Sequence, residues 1–281
     1  MFRTKTAAGK HARRRPKKRF GQHFLRDETA LAQIIAAADI SPADTVLEIG
    51  AGLGALSVRI AQQNPRAFIA LEKDRDLIAA LKNKLNAFPH TAVVQDDILN
   101  IPLAPLAAEN RLKIIGNLPY YITSPILTRL IDARACIDVI IVTVQKEVAQ
   151  RIVAAPGTKA FGRLSCLIQY YTQPELLQIF PRRLFQPPPQ VDSALVRLRI
   201  LPRPSVAVRS ETAFFSIIQA IFTHRRKTLL NSLLAYGGLG LNRAQSENIL
   251  DHARIAPACR GEQLPLSDIA RLSDCAAVPT V

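Results

Sequence analysis

Val46-Leu47-Glu48-Ile49-Gly50-Ala51-Gly52-Leu53-Gly54 reads as a buried strand that breaks into a glycine-rich turn, and the apolar spacing of Ala55 to Gln62 reopens it as a helix. Glycine has no Cβ, so such a turn can take positive φ and let the main chain pass close to a bound nucleotide-like ligand. Gly50, Gly52 and Ala55 have the spacing of a dinucleotide fingerprint. Glu72 follows about twenty residues later, at the end of the next strand, where a carboxylate can accept from ribose hydroxyls. On spacing alone a nicotinamide dinucleotide and S-adenosylmethionine fit equally well, and a tight structural turn uses the same glycines.

Outward from this stretch, short β-branched runs alternate with helical ones. Ala67 to Leu71, Thr91 to Val94, Lys113 to Ile115 and Asp138 to Val144 read as strands. Leu77 to Leu85, Pro125 to Arg134 and Val148 to Val153 read as helices. The strands are apolar on both faces, as a parallel sheet covered by helices requires. Tyr170 to Thr172, Leu176 to Ile179 and Ser193 to Ile200 read as late strands. The prolines of Leu201-Pro202-Arg203-Pro204-Ser205 mark a linker. Beyond it, Thr212 to Leu234 carries an apolar helical stripe ended by Gly237-Gly238, with further helices beginning near Asn242 and Ser267. The expected architecture is α/β: a basic disordered arm over residues 1–19, a doubly wound Rossmann-like domain over 20–204, and a smaller all-helical domain over 205–281.

Charge is the strongest compositional signal. Lys and Arg number 37 against 22 Asp and Glu, a net charge of +15, which points to a polyanionic partner. Arg3, Lys5, Lys10, Arg13, Arg14, Arg15, Lys17, Lys18 and Arg19 stand in a segment without an acid. Such a block repels itself and suits a nucleic-acid-binding arm. An organellar transit peptide has similar composition, but this segment lacks an amphipathic apolar face. No stretch reaches the length of a membrane span. The 4 cysteines show neither a Cys-x-x-Cys pair nor zinc-ligand spacing, so free thiols, no metal and a cytoplasmic location are expected.

Ligands of such sheets sit outside the carboxyl ends of the strands. Asp96 and Asp97 follow the third strand and can accept from an adenine amino group. Gly116-Asn117-Leu118-Pro119-Tyr120-Tyr121 follows the fourth. An exocyclic base amine is a poor nucleophile because its lone pair is delocalised into the ring. The Asn117 side-chain oxygen and a carbonyl at or before Pro119 can accept both amine hydrogens, turning the lone pair toward an electrophile. Tyr120 can stack on the base and fix its angle.

Asn117-Leu118-Pro119-Tyr120 resembles the Asn-Leu-Pro-Tyr motif of the rRNA adenine N6-dimethyltransferases. Further signatures of that family follow in order: Phe20-Gly21-Gln22-His23-Phe24-Leu25, Glu48-Ile49-Gly50-Ala51-Gly52, Gly162-Arg163-Leu164-Ser165, the segment from Phe185-Gln186-Pro187-Pro188-Pro189 to Ser193-Ala194, and Arg225-Arg226-Lys227-Thr228-Leu229 with Asn231. The resemblance spans nearly the whole chain. It implies an S-adenosylmethionine-dependent methyltransferase that dimethylates two adjacent adenines near the 3′ end of small-subunit rRNA during ribosome assembly.

Position by position, the resemblance implies that Gln22, His23 and Leu25 close over the cofactor, and that Gly50 and Gly52 give it room. Glu72 would bind its ribose with Lys73 beside it, and Asp97 with Ile98 would hold its adenine. Asn117, Leu118, Pro119 and Tyr120 form the catalytic strand end, and Phe185 covers the target base opposite Tyr120. His23 stands where many relatives carry Asn. Arg225, Arg226 and Lys227 interrupt the helical stripe and join the arm as RNA contacts, although a solvated face or an inter-domain contact uses such cations equally well. The alternatives are the macrolide-resistance branch, which targets a large-subunit adenine, and a non-catalytic assembly factor on the same scaffold. Leu118, Pro187-Pro188-Pro189 and the Arg-Arg-Lys run argue against the first, and the presence of Glu72, Asn117 and Tyr120 against the second. The expected partner is the immature small ribosomal subunit, met by a monomer and without a membrane.

Overall fold

The computed structural model describes residues 23–107 and 110–276. Gln22 and the basic arm, with Arg13, Arg14, Arg15, Lys17, Lys18 and Arg19, lie outside the described residues. A two-residue strand β1 (Phe24–Leu25) leads into α1 (Glu28–Ala38). Asp27 caps this helix by accepting from the Ala30 amide at 2.9 Å. Then β2 (Thr45–Ile49), α2 (Ala55–Ala61), β3 (Ala67–Glu72), α3 (Arg75–Leu85) and β4 (Thr91–Gln95) alternate, followed by α4 (Ala104–Ala107), β5 (Leu112–Asn117), α5 (Thr123–Asp132), β6 (Ile137–Gln145) and α6 (Lys146–Ile152).

The chain runs β2, β3, β4 to one side, then returns to place β5 and β6 on the other side of β2, within a seven-stranded sheet ordered β4-β3-β2-β5-β6-β9-β7. This reversal puts the switch point between β2 and β5, where two loops diverge and leave a crevice. The first five strands in that order are parallel. β7 (Thr172–Phe180) and β9 (Ser193–Ile200) close the sheet, β9 antiparallel to both neighbours. Its first residue, Ser193, is paired with Gln145 at the last position of β6. Ser193 therefore reaches the same edge as the carboxyl ends of the parallel strands.

Alternate residues of each strand feed opposite faces. Leu47, Ile114 and Ile140 join one buried cluster, whereas Val46, Ile115 and Ile141 join another. The first cluster continues without a break into the C-terminal helices α8 (Glu211–Thr223), α9 (Leu229–Ala235), α10 (Arg243–His252) and α11 (Leu266–Ala276), through Phe214, Leu233, Leu250 and Leu272.

Two expected elements differ. Tyr170 to Thr172 is not a strand, because α7 (Arg163–Tyr171) runs through both tyrosines and β7 starts at Thr172. Aromatic side chains favour strands on average, but these two serve a helix–helix joint. Tyr170 packs on Phe214 at 4.7 Å between ring centroids, and Arg134 lies 3.8 Å over the Tyr171 ring. The Tyr171 hydroxyl donates to Glu211 at 2.7 Å. The stripe from Thr212 to Leu234 is likewise two helices rather than one. Ser210 caps α8, Thr228 caps α9, and the cations between them occupy the turn. Among the described residues, no helix is long and apolar enough to cross a membrane.

Candidate active site

A cleft opens at the switch point, where ligands of such sheets bind. Its walls are strand ends: Ile49 and Gly50 from β2, Leu71 to Lys73 from β3, Asp96 to Ile98 after β4, and Asn117 to Tyr120 from β5. The glycine turn is a backbone requirement. Gly52 has φ +56°, and a Cβ there would lie 2.9 Å from the Phe24 ring.

Glu72 braces this turn. Its two carboxylate oxygens accept from the Gly52 and Asp74 amides, each at 2.7 Å. Burial raises its pKa above the ordinary carboxylate range, against the lowering effect of those amides. Each oxygen keeps a second lone pair for a ligand hydroxyl. Lys73 follows and holds Asp97 at 2.6 Å, while Asp97 also accepts from the Leu99 amide at 3.1 Å. Burial works to raise the Asp97 pKa, but Lys73 and that amide outweigh it and keep the carboxyl below its usual value.

Asn117 ends β5 at the cleft wall. Its Nδ2 donates to the His23 carbonyl at 2.7 Å, whereas its buried Oδ1 has no hydrogen-bond partner. Buried acceptors are normally paired, because an unpaired one forfeits its hydration without return. An orphan at the wall of a cleft at the sheet's switch point is an acceptor kept for something that binds there. Tyr120 opens a 3₁₀ turn (Tyr120–Ile122); its hydroxyl is bound to Ser193. Burial raises its pKa, only partly offset by Ser193, so the ring stays a neutral phenol. The His23 ring stacks on it at 5.5 Å and 23°, with Nδ1 2.8 Å from the Pro187 carbonyl.

The cleft thus gathers His23, Gly50, Gly52, Glu72, Lys73, Asp97, Ile98, Asn117, Leu118, Pro119 and Tyr120. Two expected members are absent. Phe185 is not among the residues lining the cleft: it lies in β8 (Phe185–Gln186), which pairs with β1, and it is buried among the second core cluster at 3% exposure. Its register partner Leu25 is buried with it and lines a second cavity that shares Phe24, Gly50 and Asn117 with the cleft. The ring that stands against Tyr120 is His23. Phe24 and Tyr121 line the cleft and Ser193 anchors Tyr120, none of them expected. The only sequence signal for Ser193 is its place at the end of the Pro187-Pro188-Pro189 segment.

Residues 13–274 match the family model described as ribosomal RNA adenine dimethylase. The chain belongs to the ribosomal RNA adenine dimethylase family. It is 44% identical over 269 residues to Ribosomal RNA small subunit methyltransferase A of Pelotomaculum thermopropionicum, covering 92% of this chain and 90% of that protein. The protein of the same name from Streptococcus pneumoniae is 42% identical over 264 residues, covering 92% of this chain and 91% of its own length. Among solved structures, the 23S rRNA methyltransferase ErmE superposes with a TM-score of 0.70 at 28% identity, covering 90% of this chain and 99% of that one. A dimethyladenosine transferase from Plasmodium falciparum shares the fold, with a TM-score of 0.70 at 24% identity, covering 89% of this chain and 96% of its own.

S-adenosylmethionine is the methyl donor of this dimethylase family, and the cleft fits it. The Gly52 turn has no room for a side chain, Glu72 offers spare lone pairs to a ribose, and Asn117 Oδ1 awaits a donor.

Behind the glycine turn, Glu48 is 2% exposed and its Oε2 has no partner. Burial pushes its pKa up to about 8, opposed by the nearby Ser57 hydroxyl and reinforced by the Glu72 charge. The folded dimethylase therefore keeps a proton that the unfolded chain releases near its ordinary value of 4.5. The stability this confers is complete below that value and drains away as pH rises toward 8. We expect Glu48→Gln to flatten this decline: thermal melts between pH 6 and 8.5 should show the wild-type Tm falling by about 5 °C more than the variant's.

Proposed function

We propose that this chain transfers methyl groups from S-adenosylmethionine to N6 of two adjacent adenines in a hairpin near the 3′ end of small-subunit rRNA, giving N6,N6-dimethyladenosines in the immature small ribosomal subunit. The observation that carries this reading is the unpartnered, buried Asn117 Oδ1 at the cleft wall. When bound, S-adenosylmethionine supplies an electrophilic sulfonium methyl.

Asn117 Oδ1 accepts one N6 hydrogen. The Pro119 carbonyl is already taken by the Ile122 amide at 3.2 Å and the Thr123 hydroxyl at 3.1 Å, which leaves the Leu118 carbonyl for the other. Two acceptors on the amine favour a tetrahedral nitrogen and stabilise the positive charge that grows on it during attack. The proton leaves to water afterwards. Tyr120, pinned by Ser193 and backed by His23, sets the plane of the base. Glu72 and Asp97 hold the ribose and adenine of the donor.

The same reading takes residues 20–204 as the methyltransferase unit and 205–281, with the arm at 1–19, as its RNA-binding parts. It places the protein in the cytoplasm as a monomer; a stable dimer in sedimentation without RNA overturns the last point. Of the turn cations, Arg225 serves the fold. It pairs with Glu262 and donates to the Thr158 carbonyl at 3.1 Å, tying the turn to the loop before α7. Arg226 and Lys227 are the RNA contacts. Arg225→Ala should lower Tm by about 3 °C and leave the salt dependence of RNA binding unchanged. Arg226→Ala with Lys227→Ala should keep Tm and reduce the slope of log K against log salt by about 1 to 2.

The relatives named for the small subunit favour that substrate over a large-subunit adenine. Label transfer from S-adenosylmethionine to undermethylated small subunits, run beside large-subunit RNA, tests the choice. Label in the small-subunit RNA alone supports it, and label in the large-subunit RNA alone replaces it with the macrolide-resistance reading.

A further inference from the structure

Tyr121 is 56% exposed, the most exposed of the four large hydrophobic residues open to solvent among the described residues. It is not a stray surface ring. It lines the mouth of the cleft together with Tyr120 and Lys73. The 3₁₀ turn directs the two tyrosines apart: Tyr120 is anchored inward on Ser193, whereas Tyr121 stands outward. Leaving more than half of an aromatic ring in water at the rim of a site forgoes that much of its burial. Lys73, 52% exposed and paired with Asp97, lines the same cleft. An exposed ring continuous with such a cleft is the platform on which proteins hold single-stranded nucleic acid, because every base has a face that stacks on it.

We infer that Tyr121 is the stacking platform for the nucleotide adjacent to the adenine being methylated, so that two consecutive rings of the turn hold two consecutive bases, one inside the cleft and one at its rim. The inference rests on the proposed rRNA substrate and deepens it. With two adjacent adenines as substrate, the rim base during one round is the cleft base of the other, so Tyr121 keeps the second adenine in place while the first reacts.

The test compares Tyr121→Ala, Tyr121→Phe and wild type, measuring binding to undermethylated small subunits by filter retention, KM and kcat for methyl transfer to them, and S-adenosylmethionine affinity by equilibrium dialysis. Stacking lost at one base predicts a Kd and KM for subunits raised about 5- to 50-fold in Tyr121→Ala. S-adenosylmethionine affinity and kcat should stay within about two-fold, and Tyr121→Phe should behave as wild type. Subunit affinity unchanged in Tyr121→Ala overturns the inference. So does a loss that Phe fails to rescue, or one matched by weaker S-adenosylmethionine binding. Wild type that binds subunits but transfers no methyl refutes the methyltransferase reading instead, and the binding comparison still decides the role of Tyr121.

Discussion

Asn117→Ala should lower kcat for methyl transfer about 100- to 1000-fold, the usual cost of deleting one preorganised polar group aimed at developing charge. The variant loses a buried side-chain acceptor in the cleft wall that the fold leaves unpaired, together with the Nδ2 bond to the His23 carbonyl. Stability should move the other way or hardly at all. The lost bond is offset by removal of an unsatisfied buried oxygen, so Tm should stay within about 2 °C or rise. Asn117→Asp keeps an acceptor but forfeits the donor to His23, and should retain more activity than alanine. Kinetics measured beside thermal melts separate this from simple unfolding. Activity and Tm falling together would assign Asn117 to the scaffold.

Glu72→Ala should act on both affinity and fold. Its carboxylate accepts from the Gly52 amide and also from the Asp74 amide. Truncation strands two N–H groups where Glu72 itself is 7% exposed, at about 1–3 kcal/mol each. We expect a Tm lower by about 5 °C or more, and a Kd for S-adenosylmethionine raised about 10- to 100-fold as the ribose acceptor is lost. Because burial raises the Glu72 pKa, wild-type affinity should weaken on acidification at a pH above that of an ordinary glutamate, as the acceptor gains its proton. Calorimetric titration at falling pH checks this. An affinity in Glu72→Ala equal to wild type would remove Glu72 from the cofactor site.

The strand–turn–helix of residues 45–61 was legible because its signals are local: a continuous apolar run and glycines that the backbone itself demands at positive φ. The carboxyl-edge residues Glu72, Asp97 and Asn117 were legible for a related reason, since strand ends in a doubly wound sheet converge by topology. What the sequence hid depends on contacts between distant segments. Tyr170 and Tyr171 read as strand because their helix is decided by Phe214 and Glu211, some forty residues away. The break at residues 224–228 was marked in the sequence by its run of cations, which a solvated helix face carries equally well, and the Thr228 cap and the Arg225–Glu262 pair reveal it. Phe185 looked like a clamp by resemblance, yet its pairing with Leu25 turns it into the core and leaves His23 beside Tyr120.

The cleft's buried, unpaired amide oxygen makes the nature of the product the sharpest question. Small subunits lacking the modification should be incubated with S-adenosylmethionine and wild-type or Asn117→Ala protein, and their RNA digested to nucleosides for mass spectrometry. The account predicts N6,N6-dimethyladenosine from two adjacent positions with wild type and almost none with Asn117→Ala. Equal dimethyladenosine from both proteins, or none from wild type on subunits it demonstrably binds, would contradict it.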